Sequence, residues 1–95
     1  MNPTRVVREK VLLLTDLPNI GPSIADDLRR TGIISPGQLA GKNPLDLYHA
    51  LCHQTGGRQD PCVLDVLISI TRFMDGAEPR PWWDYTEERK KRYGG

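Results

Sequence analysis

Imidazole and thiol side chains cluster in the middle of the chain, and such groups can bind a metal or act as nucleophiles. They are His49, Cys52, His53 and Cys62. Their spacings match no common zinc pattern, and Cys52 and His53 would point about 100° apart on a helix. We therefore expect both cysteines to be metal-free, small buried apolar side chains and both histidines to lie at the surface. An alternative is a reactive thiol at Cys62, in the first turn of a helix, although Asp60 opposes the lowered pKa.

The rest of the sequence offers no catalytic constellation. It pairs no nucleophile with a base, has no acid and base at a plausible spacing, and contains no nucleotide-binding glycine loop. We therefore expect a non-catalytic protein that needs no cofactor.

A tight turn between two predicted helices, in residues 17–25, is the second distinctive feature. Pro18 biases Leu17 away from helical geometry and ends the first helix, whereas Pro22 suits the first position of the next one. Asn19 tolerates the positive φ that a sharp turn requires. The turn should therefore be rigid.

The backbone amides at the end of this turn are suited to hold an anion. Gly21 falls at the helix N-cap, and the amides of Ser23 and Ile24 lie in the first helical turn, where no intrahelical acceptor reaches them. Free amides and the helix dipole together attract phosphate at such a position. Asp26 and Asp27 follow within two turns, so their charges should weaken phosphate binding.

The turn resembles the hairpin of the helix-hairpin-helix DNA-binding superfamily, whose usual pattern is an apolar residue followed by Pro-Gly-Ile/Val-Gly-x-x-x-Ala. It differs at Asn19, where the superfamily most often has glycine, and at Ser23, where lysine or threonine is common. Nearly the whole chain resembles a narrower family, the small bacterial pathogenicity locus or mitomycin-resistance-associated proteins, related to the C-terminal domain of TfoX-type competence regulators. The segments that carry this resemblance are 17–33, Leu47-Tyr48 to Leu51-Cys52, 60–65 and Pro81-Trp82-Trp83.

The resemblance implies weak, nonspecific binding of the DNA backbone through the hairpin, without readout of base sequence. A branched side chain at Gly21 should strain the turn and block the phosphate. A protein-protein interaction module that keeps the hairpin as a structural turn is the alternative, and the net charge of +1 favours it. The predicted DNA-binding residues are Asn19, Gly21, Pro22, Ser23 and Ile24.

Helical periodicity without any sustained period of two predicts an all-α fold. We expect a compact bundle of about five short helices in residues 1–80, followed by a C-terminal segment in 81–95. The helices are predicted at residues 2–15, 22–30, 36–40, 44–55 and from 61 until Gly76 ends the last one. The predicted core contains Val11, Leu14, Ile20, Ile24, Leu28, Ile33, Leu51, Leu64, Leu67 and Ile70. The run 11–14 is expected to be covered on more than one side.

One repeated pattern links the two halves of the chain. Asp60-Pro61 opens a helix after a glycine-containing turn, as Gly21-Pro22 does, which suits two hairpins in a pseudo-twofold relation. The Asp60 carboxylate should fill the amide site of its own hairpin, residues 55–60, so only the first hairpin should bind phosphate.

The C-terminal segment carries both tryptophans. Pro79 and Pro81 exclude a helix, so Trp82 and Trp83 should be extended, with at least one covering the core; stacking on a base or a partner is the alternative. The basic run at 89–92 is expected to be solvated, in a helical or frayed tail that adds nonspecific attraction to phosphate.

Composition agrees with one small soluble domain. Of 95 residues, 38% are hydrophobic and 26% are charged. The apolar runs are shorter than the roughly 20 residues of a membrane span, and the N-terminus lacks a signal-peptide core. We expect a cytoplasmic protein that does not contact membranes, with reduced cysteines.

Overall fold

The computed structural model describes residues 3–57 and 59–93. Four α-helices and five short 3-10 turns form in these residues, and none of them lies in a strand, which confirms the all-α prediction. The α-helices are α1 (Pro22–Arg30), α2 (Pro44–Thr55), α3 (Pro61–Met74) and α4 (Thr86–Tyr93). The 3-10 turns are Pro3–Arg5, Arg8–Lys10, Leu14–Asp16, Pro36–Leu39 and Trp82–Tyr85. Within the described ranges, no helix combines the length and apolar character that crossing a membrane requires.

Proline and glycine set the helix bounds where the sequence predicts them. α1, α2 and α3 all begin with proline as their first residue, where the missing N–H costs nothing. α2 ends at Gly56, which adopts the left-handed conformation with φ 73°. The predicted bounds of α1 and α2 are therefore confirmed.

α3 is the centre of the fold. All of its residues from 64 to 71 are buried, and it packs against α2, α4 and the 3-10 turns Pro36–Leu39 and Trp82–Tyr85. Because α3 is covered on all sides, the surrounding elements form the solvent-facing surface of the fold. Of the predicted core, Val11 and Ile24 are partly buried, and the other members are buried.

The helix predicted at residues 2–15 does not form; Asn2 lies outside the described residues, and the remainder contains three short 3-10 turns. The Asp16 carboxylate accepts hydrogen bonds from the amides of Leu13 (2.9 Å) and Leu12 (3.1 Å), which an α-helix would direct to preceding carbonyls. These bonds hold the pKa of Asp16 below its usual value. Leu12 and Leu13 are 78% and 60% exposed, so the expected cover over this run is absent and only Leu14 is buried.

Arg8 gives a second reason for the broken helix. Its guanidinium donates to the carbonyls of Phe73 in α3 and of Ala77 just after α3, the latter at 2.7 Å. It also lies 4.1 Å from the centre of the Phe73 ring. A cation at this position complements the negative end of the α3 dipole, and it draws the N-terminal segment across the fold.

The C-terminal segment also differs from the prediction. The two tryptophans begin a 3-10 turn instead of an extended stretch, because Pro81 restricts only itself and the residue before it. The Pro81 carbonyl accepts the amide of Asp84 at 3.1 Å and starts the turn. The basic run at 89–92 then lies in α4.

One residue of that run is buried. Arg89 is 7% exposed, and its Nε donates to Oδ1 of the fully buried Asp65 at 2.5 Å. The hydroxyl of Thr86 donates to Oδ2 of the same carboxylate at 2.7 Å. The prediction of a wholly solvated run is therefore wrong for Arg89, which fastens α4 to α3.

Asp65→Asn should destabilise the protein by about 3–5 kcal/mol, because it leaves the buried guanidinium of Arg89 without a countercharge. The measurement is urea unfolding followed by circular dichroism. Lys90→Met, on the exposed side of the same helix, should change the unfolding free energy by less than about 0.5 kcal/mol. Equal effects of the two substitutions would contradict the structural role of the ion pair.

Candidate functional site

The hairpin before α1 is anchored in the core on both sides of its turn. Leu17 and Ile20 are 0% and 3% exposed, and Pro18 is also buried. Asn19, between them, adopts φ 68°, the positive value that the sequence predicts. Gly21 then forms the N-cap of α1. The backbone that leads into α1 is thus fixed by packing.

The first-turn amides of α1 follow directly after this anchored turn. Gly21 offers no side-chain cap, and its carbonyl accepts the first helical hydrogen bond, from Ala25 at 3.1 Å. Across residues 3–57 and 59–93, no acceptor contacts the amides of Ser23 or Ile24. Residues 21–23 are exposed. These amides can therefore donate hydrogen bonds to an anion from solvent.

Gly21 has room for a side chain. Its backbone is extended, with φ −95° and ψ 177°, and a Cβ added there meets no atom within 4 Å. Non-glycine residues adopt this conformation freely. The prediction that a branched side chain strains the turn is therefore wrong, and only steric blocking of a ligand remains.

The acidic residues of α1 are paired within the helix. Asp26 accepts from Arg29 at 2.8 Å, and Asp27 lies 3.9 Å from Arg30. Asp26, Arg29 and Arg30 are exposed and Asp27 is partly buried, so solvent and salt screen both pairs and each contributes little to stability. The two arginines nevertheless offset the negative charge of Asp26 and Asp27 close to the hairpin.

The side chain of Asn19 ties the hairpin to two distant parts of the chain. Its Nδ2 donates to Oγ of Ser69 in α3 at 3.0 Å and to the carbonyl of Arg80 at 2.8 Å. Its Oδ1 accepts the amide of Trp82 at 3.2 Å. Both amide protons are thereby used. In this arrangement, the DNA contact predicted for Asn19 would have to come from its backbone.

The sequence contains a signal for this connection that our prediction did not use. Asp65 and Ser69 are polar residues four positions apart on α3, and both are buried. Residues at this spacing lie on one face of a helix, and buried polar side chains need partners. The pattern predicts polar groups docking on α3, although not that Asn19 and Arg89 supply them.

The tether places the tryptophans next to the hairpin. Trp82 is partly buried and packs on the core, which confirms that at least one tryptophan covers it. Trp83 is 59% exposed. The two rings meet edge to face, with centroids 5.6 Å apart and an interplanar angle of 83°.

The second hairpin differs from its prediction. Asp60 is the N-cap of α3, yet its carboxylate makes no capping hydrogen bond. The expected reason why this hairpin should not bind phosphate is therefore wrong. Arg58 of the same hairpin lies outside the described residues.

The thiol and imidazole groups do not form a site in the described ranges. No group of three or more histidine, cysteine or acidic residues is placed there to hold a metal ion. His49 and His53 are exposed, as predicted, whereas Cys52 and Cys62 are partly buried rather than buried. Burial, and then the charges of nearby aspartates, raise the pKa of the Cys62 thiol, which disfavours the reactive-thiol alternative.

The chain is similar to a known family and to a curated protein. The family model described as "Pathogenicity locus" (Cdd1) matches residues 7–91. The mitomycin resistance protein McrB of Streptomyces lavendulae is 42% identical over 82 residues, which cover 86% of this chain and 78% of McrB. No solved structure matches the chain.

Asn19→Gly should loosen the C-terminal segment without disturbing α1, because glycine accepts the positive φ but makes none of the three side-chain hydrogen bonds. We expect a loss of about 1–3 kcal/mol in unfolding free energy. Hydrogen exchange should accelerate more at the Trp82 amide than at the Leu47 amide, which bonds the Asn43 carbonyl in α2. Equal acceleration at both amides would indicate general destabilisation instead.

Proposed function

This chain belongs to the pathogenicity locus family, and from that premise we propose that it is a non-catalytic module that binds the sugar-phosphate backbone of DNA. The contact is made by the hairpin before α1, without sequence readout. The residues involved are Asn19, Gly21, Pro22, Ser23 and Ile24. The name of the relative McrB supports a second part of the proposal, that this chain takes part in resistance to mitomycin.

The observation that carries the proposal is the exposed first turn of α1. The amides of Ser23 and Ile24 have no acceptor among the described residues, and they belong to a backbone that buried Leu17 and Ile20 hold in place. A phosphate oxygen at this position would accept from both amides and gain from the helix dipole. A preorganised site loses little conformational entropy on binding.

The absence of sequence readout follows from the groups involved. Backbone amides bind phosphate in the same way beside every base, whereas base recognition requires side chains that reach groove edges. The net charge of +1 provides little long-range attraction, so binding should be weak. Each phosphate contact should contribute about −0.9 to the slope of log K against log salt on duplex DNA.

A protein-protein interaction module is the second candidate, and one observation favours it. Leu12 and Leu13 project from the turn that Asp16 caps, and they are among the most exposed large apolar residues. Adjacent exposed leucines on an ordered turn are suited to contact an apolar surface of a partner. In that case the hairpin is a structural turn.

Gly21→Val should weaken binding to duplex DNA about tenfold or more while leaving thermal stability unchanged, because its side chain has room in the fold but occupies the approach to the amides. The measurement is a fluorescence anisotropy titration at two salt concentrations. Gly37→Val is the matched control, since Gly37 is also exposed with open space around it, but lies outside the hairpin. Equal affinities of both variants, or no binding by the parent at low salt, would favour the interaction module.

Asp27→Asn should tighten duplex binding about two- to fivefold at low salt, because it removes a negative charge near the phosphate and releases Arg30 from its pair. The gain should shrink as salt rises. Asp46→Asn makes the same change in net charge on α2 and should have less effect. If the two variants tighten binding equally, only net charge matters and the hairpin is not the contact.

A further inference from the structure

The exposed ring of Trp83 is connected to the hairpin through Asn19 and Trp82. Asn19 bonds the backbone on both sides of Pro81, at Arg80 and at Trp82. Trp82 is held by the core, and its ring contacts that of Trp83 edge to face. The ring is therefore positioned by packing and by hydrogen bonds, and not merely left in solvent.

The distance between the ring and the hairpin is short on the scale of nucleic acid. Asn19 is two residues from Gly21, its side chain reaches the Trp82 amide at 3.2 Å, and Trp83 is the next residue. Standard chain dimensions place the Cα of Trp83 within about 20 Å of Gly21. A strand whose phosphate lies at the hairpin could reach the ring within a few nucleotides.

The chemistry of Trp83 suits an unpaired base. An exposed indole offers a flat surface on which any base can stack, and stacking requires no groove-reading side chain. The neighbouring charges are mixed, with Arg80, Asp84 and Glu78 all exposed. The surface around Trp83 is therefore better suited to contact a base through the uncharged ring than to attract phosphate through positive charge.

We propose that Trp83 is a stacking platform for an unpaired base of a nucleic acid strand whose neighbouring phosphate is held by the hairpin before α1. This inference rests on the proposed function and narrows its substrate class, since it favours single-stranded DNA or a strand end over intact duplex. Bases in a duplex are stacked on one another and are not free to stack on the ring.

The test compares three ligands of equal length: an oligo-dT strand, an abasic strand and a duplex. Trp83→Ala should weaken binding of oligo-dT about fivefold or more, and should change binding of the abasic strand and of the duplex less than twofold. Trp83→Phe should restore part of the loss, because it keeps an aromatic face. Leu12→Ala removes another exposed apolar side chain and should leave all three affinities unchanged.

A spectroscopic readout separates stacking from binding alone. Trp82→Phe leaves Trp83 as the single tryptophan, so its fluorescence reports on that ring. Addition of oligo-dT should quench this fluorescence, whereas the abasic strand should bind without quenching. Circular dichroism verifies that the variant remains folded.

The outcomes separate this inference from the proposed function. If Gly21→Val weakens binding of all three ligands and Trp83→Ala weakens none, the hairpin proposal stands and the stacking proposal falls. If Trp83→Ala weakens oligo-dT binding and Gly21→Val has no effect, stacking stands without a phosphate at the hairpin. Equal losses for the dT and abasic strands would overturn stacking, and so would the absence of DNA binding by the parent, which would leave the ring as a contact for protein.

Discussion

A buried carboxylate and a buried hydroxyl inside α3 contact distant parts of the chain, and these contacts position the C-terminal helix and the hairpin. Asp65 and Ser69 lie four residues apart within a helix that is covered on all sides. An unpaired carboxylate at such a site would cost several kcal/mol, whereas the Ser69 hydroxyl already donates to the Val66 carbonyl within α3 at 2.6 Å and keeps its oxygen available as an acceptor. Arg89 and Thr86 pair the carboxylate, and Asn19 donates to the hydroxyl. In the described part of the chain, no buried side-chain nitrogen or oxygen is left without a partner. The C-terminal helix and the hairpin are thus docked on α3 by polar contacts within an apolar core.

Features set by nearby residues could be predicted from the sequence, whereas features set by distant partners could not. Pro22, Pro44 and Gly56 act on the backbone at their own positions, so the bounds of α1 and α2 followed directly. The N-terminal segment carries helical periodicity, but Arg8 bonds residues more than 60 positions away, and that tertiary contact prevails over local propensity.

In the candidate site too, local features could be predicted and long-range contacts could not. The positive φ of Asn19 and the lack of an acceptor for the amides after Gly21 follow from residue types within one turn, and both could be predicted. The tether from Asn19 to Arg80 and Trp82 depends on the path of the C-terminal segment, which local sequence does not encode. At Gly21, the local sequence led to a wrong prediction. Glycine suggested a strained turn, but its backbone is extended and its surroundings are open.

The long reach of the Asn19 side chain has a consequence for synthesis on the ribosome. Asn19 and Trp82 are 63 positions apart in sequence. At the usual 5–20 residues per second, residue 82 is made about 3–13 s after residue 19. During that interval the Asn19 side chain lacks Arg80 and Trp82, its hydrogen-bond partners in the finished protein. The hydrogen bonds from Asn19 to Arg80 and Trp82 therefore form only after the tryptophans have left the ribosome, so docking of the C-terminal segment on the hairpin is a late step of folding.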